Sequence, residues 1–191
     1  MALKTLVKVG CITNLSDARY CAGMGVDFLG FRVIDGQPGM IPVKSFQEIR
    51  GWITGPQIVA EIYGVSSADE LERVMQGFQP DYLELSLDEL YKIGNAITIP
   101  YILNLPEGEE LPSSISSRPA YILTDLKVNP STSKYIPDYE LLVQVSRVDE
   151  LSLAVGQTGI SGIALLGGSE IRPGLKEYED LAAILEALEE D

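Results

Sequence analysis

Gln57-Ile-Val-Ala-Glu-Ile-Tyr-Gly-Val-Ser-Ser-Ala-Asp-Glu-Leu71 shows how one unit of this chain is built. Gln57–Tyr63 is a short apolar run, as expected of a parallel strand covered by helices. Ser66 then opens the form S-x-x-D-E-L. A serine there caps free N–H groups, and the two acids suit the positive end of a helix. From Ala68 the apolar spacing becomes helical and continues to Gln76, and Gly77 supplies the usual stop signal. The form returns at Ser146-Arg-Val-Asp-Glu-Leu151 and, one residue shorter, at Ser86-Leu-Asp-Glu-Leu90. Strand, cap and helix are thus the repeating unit.

Outward from this stretch the pattern predicts eight strands: Thr5–Ile12, Asp27–Val33, Gln57–Tyr63, Tyr82–Leu85, Pro100–Leu105, Ala120–Asp125, Leu141–Ser146 and Gly162–Leu166. Helices are expected over Ser16–Met24, Val43–Trp52, Ala68–Gln76, Leu87–Ile93, Val148–Val155 and Glu177–Glu190. Pro106–Pro119 has little helical pattern, and Leu126–Asp138 reads as a loop. Alternating β and α elements imply a parallel sheet with right-handed crossovers. Eight units fit an α/β fold of the (β/α)8 TIM-barrel type, with an open doubly wound sheet as runner-up. No GxGxxG follows the first strand, which counts against a dinucleotide site. The 191 residues are few for a barrel, so some helices must be short or missing. No linker interrupts them, and one domain over 1–191 is expected.

Lys and Arg number 14 and Asp and Glu 28, for a net charge of −14. So acidic a surface repels nucleic acid and anionic lipid, which sets both aside as partners. An anionic small molecule stays possible, because backbone N–H groups hold phosphate whatever the net charge. Histidine is absent. That removes Ser-His and Cys-His pairs, and Cys11 and Cys21 have no metal-ligand spacing, so neither a metal nor a cofactor is expected. Proton transfer must then use carboxylates, Cys, Lys or Tyr. No apolar run is long enough to span a membrane, and the cysteine usage suits a reduced, cytoplasmic setting.

In a barrel of this kind the site lies at the C-terminal strand ends. There the chain reads Val7-Lys-Val-Gly-Cys-Ile-Thr-Asn-Leu-Ser-Asp-Ala18, then Gly25-Val-Asp-Phe-Leu-Gly-Phe31, Ile122-Leu-Thr-Asp125 and Gly167-Gly-Ser-Glu-Ile-Arg-Pro-Gly-Leu-Lys176. These four places resemble the phosphoribosylanthranilate isomerase family of tryptophan biosynthesis. That family opens with K-[IV]-C-G-I-T-[NR]-x-x-D-A, continues with G-A-D-x-x-G-F and ends with S-S-G-V-E-x-x-P-G-x-K-D. The register holds over nearly the whole chain.

The resemblance implies an Amadori rearrangement. An acid protonates the furanose ring oxygen, the ring opens to a Schiff base, and a base removes the C2′ proton. Position by position it makes Asp125 the acid and points to Cys11 as the base, although the family's Cys-Gly stands here reversed, as Gly10-Cys11. Because strand side chains alternate, the shift turns the Cys11 thiol toward the helix layer unless a local bulge brings it round. Gly39 stands where the family has the Arg that holds the anthranilate carboxylate, and Arg32 is the candidate substitute. The phosphate falls to Ser146 after strand 7, where the family's Gly-Gly-Leu turn is replaced, and to Gly167, Gly168 and Ser169 after strand 8. Lys8 keeps the family's strand-1 lysine. Inside a barrel it needs a partner, and Glu84 is the expected one.

The expected protein is therefore an isomerase-like barrel taking a small phosphorylated sugar-type ligand, as a monomer or homodimer. A catalytically degenerate paralogue that binds another ligand, or none, is the alternative. Another sugar-phosphate barrel enzyme, such as an epimerase or a thiamin-phosphate-type synthase, is a weaker third reading, since no histidine or metal cluster supports it.

Overall fold

Each of the eight expected strands forms. In the computed structural model, which describes residues 2–112, 115, 117–125, 138–167, 170–172, 175–176 and 179–189, they are β1 (Leu6–Gly10), β2 (Phe28–Arg32), β3 (Gln57–Glu61), β4 (Tyr82–Leu85), β5 (Tyr101–Asn104), β6 (Tyr121–Thr124), β7 (Glu140–Gln144) and β8 (Ile160–Leu166). Every neighbouring pair is parallel, in sequence order. The pairing of β1 with β8, from Leu6↔Gly162 to Gly10↔Leu166, closes the barrel and rules out the open sheet.

Helices follow most strands: α1 (Leu15–Gly23), α2 (Val43–Arg50), α3 (Ala68–Phe78), α4 (Leu87–Ile93), α5 (Leu151–Ala154) and α6 (Glu179–Ala187). Among the described residues no helix lies between β5 and β6. The helix expected over Val148–Val155 begins as a 3-10 turn, Val148–Glu150, and α5 adds four residues. After β8 a small antiparallel hairpin, β9 (Glu170–Arg172) with β10 (Leu175–Lys176), stands where only a loop was expected. None of the described helices is long and apolar enough to cross a membrane.

Alternation along each strand splits the core in two. Phe28, Val59, Ile102, Leu123, Leu142 and Ala164 fill the barrel, with Tyr82 and Tyr121 packed against them. Phe28 meets the rings of Tyr82 and Tyr121 edge-on, with centroids 5.4 and 5.6 Å apart. The opposite parity, including Val7, Val9, Leu29, Phe31, Ile58, Ala60, Leu83 and Leu85, is buried in the larger cluster under the helices. Continuing the inward parity toward the C-terminal ends replaces hydrocarbon with Lys8, Glu61, Glu84, Asn104 and Gln144. The barrel is apolar below and charged above.

One glycine does something other than stop a helix. Helix α3 runs through Gly77 to Phe78 and ends at Gln79, whose φ is 45°. A Cβ on Gly77 would lie 3.0 Å from a Val43 methyl group, so the glycine serves the close approach of α2 and α3. The buried Phe78 ring then packs on Phe46, centroids 5.1 Å apart.

In each S-x-x-D-E-L form the glutamate folds back onto the serine's own N–H, but the serine is itself the N-cap only at Ser86; at α3 the cap is Ser67, whose hydroxyl accepts the Glu70 N–H at 3.2 Å, and after β7 the cap position is Arg147. Glu70 accepts the Ser66 N–H at 2.8 Å, Glu150 the Ser146 N–H at 2.8 Å, and Glu89 the Ser86 N–H at 3.0 Å. Glu89 also accepts the Gly64 N–H at 2.9 Å, tying the start of α4 to the loop after β3. Burial alone would raise the Glu89 carboxyl, but its hydrogen bonds to Ser86 and Gly64 outweigh that and hold it below its usual value. Its contribution is then present above the unfolded pKa near 4.5 and is lost as pH falls through the lower folded value. Glu89→Ala is expected to cost about 2 kcal/mol at neutral pH, for a charge-assisted pair of bonds. The loss should shrink in acid. Urea melts at pH 7 and pH 3 check this, and an equal loss at both would refute the ionic account.

Candidate active site

Glu61 ends β3 on the inward parity and organises the upper barrel. It is 3% exposed. Its Oε1 lies 3.0 Å from Lys8 Nζ, and its two oxygens accept the Cys11 N–H at 3.2 and 3.3 Å. Room for it comes from two glycines, Gly30 on the neighbouring β2 and Gly10 on β1 beyond it. A Cβ on Gly10 would sit 2.4 Å from Glu61 Oε1, and one on Gly30 would sit 2.3 Å from it. Any side chain at either place would expel the carboxylate.

Lys8 bridges Glu61 to Glu84, its expected partner, whose Oε2 lies 2.7 Å from Nζ. The Tyr63 hydroxyl donates to Glu84 Oε1 at 2.7 Å and receives a bond from Asn104 Nδ2 at 3.0 Å. Burial works against the Lys8 charge, but Glu61 and Glu84 outweigh it and raise its pKa. Burial raises Glu84; Lys8 pulls against that and Glu61 adds to it. Burial and then Glu84 push the Tyr63 phenol far up, so it stays a donor.

Cys11 departs from expectation. Strand alternation sends its thiol to the helix layer, but Sγ lies 3.6 Å from Glu61 Oε2, inside the barrel mouth. The reason is the backbone. Strand β1 ends at Gly10, and Cys11 takes φ 57°, a left-handed conformation unusual for a residue with a Cβ. The period-2 rule stops where the extended backbone stops. Burial first and Glu61 second push the thiol up to about 12, against the opposing pull of Arg32 and Lys8. Cys21 is buried in α1 and forms no disulfide.

Arg32 ends β2 on the inward parity. Its Nε lies 3.8 Å from Glu61 Oε2, and a terminal nitrogen donates to the Pro38 carbonyl at 2.8 Å. Asp125 follows β6, exposed at the rim, and its Oδ2 accepts the Glu107 N–H at 3.0 Å. In the barrel order β6 is three strands from both β1 and β3, so Asp125 stands on the side of the rim opposite the Lys8–Glu61–Cys11 group.

The expected phosphate residues fall into two groups. The Ser146 and Arg147 N–H groups both point to Glu150 Oε2, at 2.8 and 3.1 Å, and the Arg147 guanidinium pairs with Asp149. The anion these amides hold is the chain's own. The Gly167 N–H donates to the Gly10 carbonyl at 2.7 Å, extending the β1–β8 pairing. Gly168 and Ser169 lie outside the described residues. Among the described residues no group of three or more Cys, Asp or Glu side chains is arranged to hold a metal ion.

The sequence reading missed Glu61, and it gave Tyr63 and Asn104, both at strand ends, no role. A signal for Glu61 existed: a charged residue on the Val59 face of an apolar strand, with glycines at the ends of the two preceding strands. Tyr63 lies two residues past β3, beyond the reach of strand parity.

No family model matches the chain. Curated relatives do. The N-(5′-phosphoribosyl)anthranilate isomerase of Xylella fastidiosa is 20% identical, with 96% of this chain and 91% of the relative covered. Among solved structures, phosphoribosyl anthranilate isomerase from Thermus thermophilus superposes with a TM-score of 0.75 at 20% identity, over 96% of this chain and 98% of that one. A second isomerase structure, in complex with reduced 1-(o-carboxyphenylamino)-1-deoxyribulose 5-phosphate, gives a TM-score of 0.69 at 16% identity, over 95% and 97%. In length, in its closed barrel and in the motifs at its strand ends the chain is similar to the phosphoribosylanthranilate isomerases, whose barrel fold it shares.

Proposed function

We propose that the protein is an Amadori-type isomerase that converts a phosphoribosyl-amine, with phosphoribosylanthranilate as the first substrate to test. The observation that carries this reading is the inward Cys11–Glu61–Lys8 group with Asp125 on the opposite side of the rim. Acid and base on opposite sides of a bound sugar are what ring opening followed by C2′ deprotonation requires. In this reading Asp125 protonates the furanose oxygen, Cys11 and Glu61 stand on the side where the C2′ proton leaves, and Arg32 holds the substrate carboxylate. Gly168 and Ser169 hold the phosphate, with the Ser146 side chain at the rim, while the Gly167 N–H stays on the Gly10 carbonyl and fixes the strand end they follow. The phosphorylated ligand of the structural neighbour supports a small phosphorylated substrate here. Reduced thiols and a biosynthetic role suit the cytoplasm.

The test is turnover of phosphoribosylanthranilate by the purified chain, alongside rescue of a tryptophan auxotroph lacking this isomerase. Conversion above the uncatalysed rate and growth without tryptophan are expected. Failure of both sinks the reading and leaves the degenerate paralogue.

A further inference from the structure

We infer that Glu61, and not the cysteine after β1, is the base that removes the substrate's C2′ proton. The assignment rests on the isomerase reading above and goes beyond it.

Space is the first argument. The family resemblance places a base on the inward position that ends β1, which here is Gly10. That position is empty of side chain, and Glu61 Oε1 occupies the place, 2.4 Å from where a Cβ on residue 10 would stand. A side chain at residue 10 and the Glu61 carboxylate compete for one volume. Glycine at both 10 and 30 settles that competition in favour of the carboxylate.

Chemistry is the second. The Cys11 thiol stays protonated at neutral pH, because burial and the adjacent Glu61 anion disfavour the thiolate. It is a donor toward Glu61 Oε2, not an acceptor. Lys8 holds its proton between two carboxylates, and Tyr63 holds its own against Glu84. Glu84 is turned to Lys8 and Tyr63, one residue short of the end of β4. Among the described inward groups near Cys11, Glu61 alone pairs an acceptor role with a position at the mouth.

Access is the third. Cys11 is half-buried, and Arg32 has about a third of its side chain exposed; both lie beside Glu61 Oε2. At 3.8 Å Arg32 holds Glu61 by charge rather than by a hydrogen bond. A carboxylate on the substrate offers the guanidinium a second anion and draws it off the base.

The step balances within the site. The C2′–H bond breaks and an O–H bond forms on Glu61. The bonding pair becomes the C1′=C2′ double bond, and the iminium π pair returns to nitrogen. A cationic substrate loses its charge as an anionic side chain loses its own, so the net charge of the site does not change. The enol then ketonises to the product.

Four variants decide it: Glu61→Gln, Glu61→Ala, Cys11→Ser, and Glu61→Ala combined with Gly10→Cys, each checked for folding by circular dichroism. Glu61→Gln should lower kcat by about 100-fold or more with KM within a few-fold. Cys11→Ser should stay within about tenfold of wild type, since a hydroxyl also donates to Glu61. The double variant, which returns a thiol to the end of β1, should recover at least about tenfold over Glu61→Ala alone. Its pH–rate profile should differ in shape from that of wild type, because the base is then a thiol. Overturning results are a Glu61→Gln enzyme within about threefold of wild type, or a Cys11→Ser enzyme down by about 100-fold. If Glu61→Gln does not fold, Cys11→Ser and the double variant decide. No turnover by wild type overturns the isomerase reading and the base with it, whereas an active wild type with indifferent Glu61 overturns only the base.

Discussion

Lys8→Met is expected to destabilise the protein by about 3–5 kcal/mol at neutral pH, because it removes the single lysine shared by two buried carboxylates. Methionine nearly matches the lysine stem in length, so the cavity contribution is small and the electrostatic one dominates. Glu61 and Glu84 are both 3% exposed, and without Lys8 the nearest cation to Glu61 is Arg32, at 3.8 Å, while Glu84 keeps the Tyr63 hydroxyl. The pH dependence identifies the cause. In the wild type the folded pKa of Lys8 lies above its unfolded value of 10.5, so the stabilisation is complete below 10.5 and lost only as pH rises through the folded value. In the variant Glu84 has lost its cation and takes up a proton more readily. Burial already raises Glu84, and losing Lys8 removes the main opposing pull. A carboxyl with its folded pKa above the unfolded one is most favourable to folding below the unfolded value and costs stability as pH rises through the folded one. The gap between variant and wild type should therefore narrow from pH 8 to pH 4. Urea melts across that range measure it. A gap under about 1 kcal/mol, or one that ignores pH, would show that the triad does not hold the upper barrel together.

The same residues show where sequence reasoning reached and where it stopped. Strand–cap–helix repetition carried the barrel because apolar runs of strand length recur eight times, and at three of those units a serine–acid form follows whose glutamate folds back onto the serine amide. Lys8 with Glu84 was legible from parity, since a lysine on the inward face needs an anion. Glu61 was legible by the same rule and needed one further step, that Gly10 and Gly30 leave a hole which some neighbouring side chain fills. Cys11 was not legible. Alternation assumes an extended backbone, and a single left-handed residue at the strand end reverses the face. Nothing in a Gly-Cys-Ile-Thr sequence announces which residue takes the positive φ, and glycine is the better candidate. The Ser146 amides illustrate the opposite error. A strand-end serine that suggests an anion site also reads as a helix cap, and here Glu150 takes up its backbone amide.

Asp125→Asn is expected to lower kcat by about 10²–10⁴-fold, the usual loss when a positioned general acid is removed. Asparagine suits this test because Asp125 also has a structural duty. Its Oδ2 accepts the Glu107 N–H and so pins the turn after β5 to the end of β6. The amide oxygen of asparagine accepts the same bond, so the turn keeps its tether while the proton donor is lost. Alanine breaks both, at a further cost of about 1 kcal/mol in stability for an exposed hydrogen bond. The two substitutions thus separate the roles. If Asp125 is the acid, Asn and Ala lose kcat alike and only Ala melts earlier. If Asp125 is only a tether, Asn behaves as wild type and Ala loses stability with little change in kcat. KM should stay within a few-fold in the first case, because ring protonation belongs to the transition state and not to substrate binding. A pre-opened substrate gives the sharpest reading. An analogue that already carries the Schiff base needs no acid, so Asp125→Asn should turn it over at nearly the wild-type rate, while Glu61→Gln should not. That divergence assigns ring opening to the β6 side of the mouth and deprotonation to the β3 side, and equal losses on the analogue would deny the division.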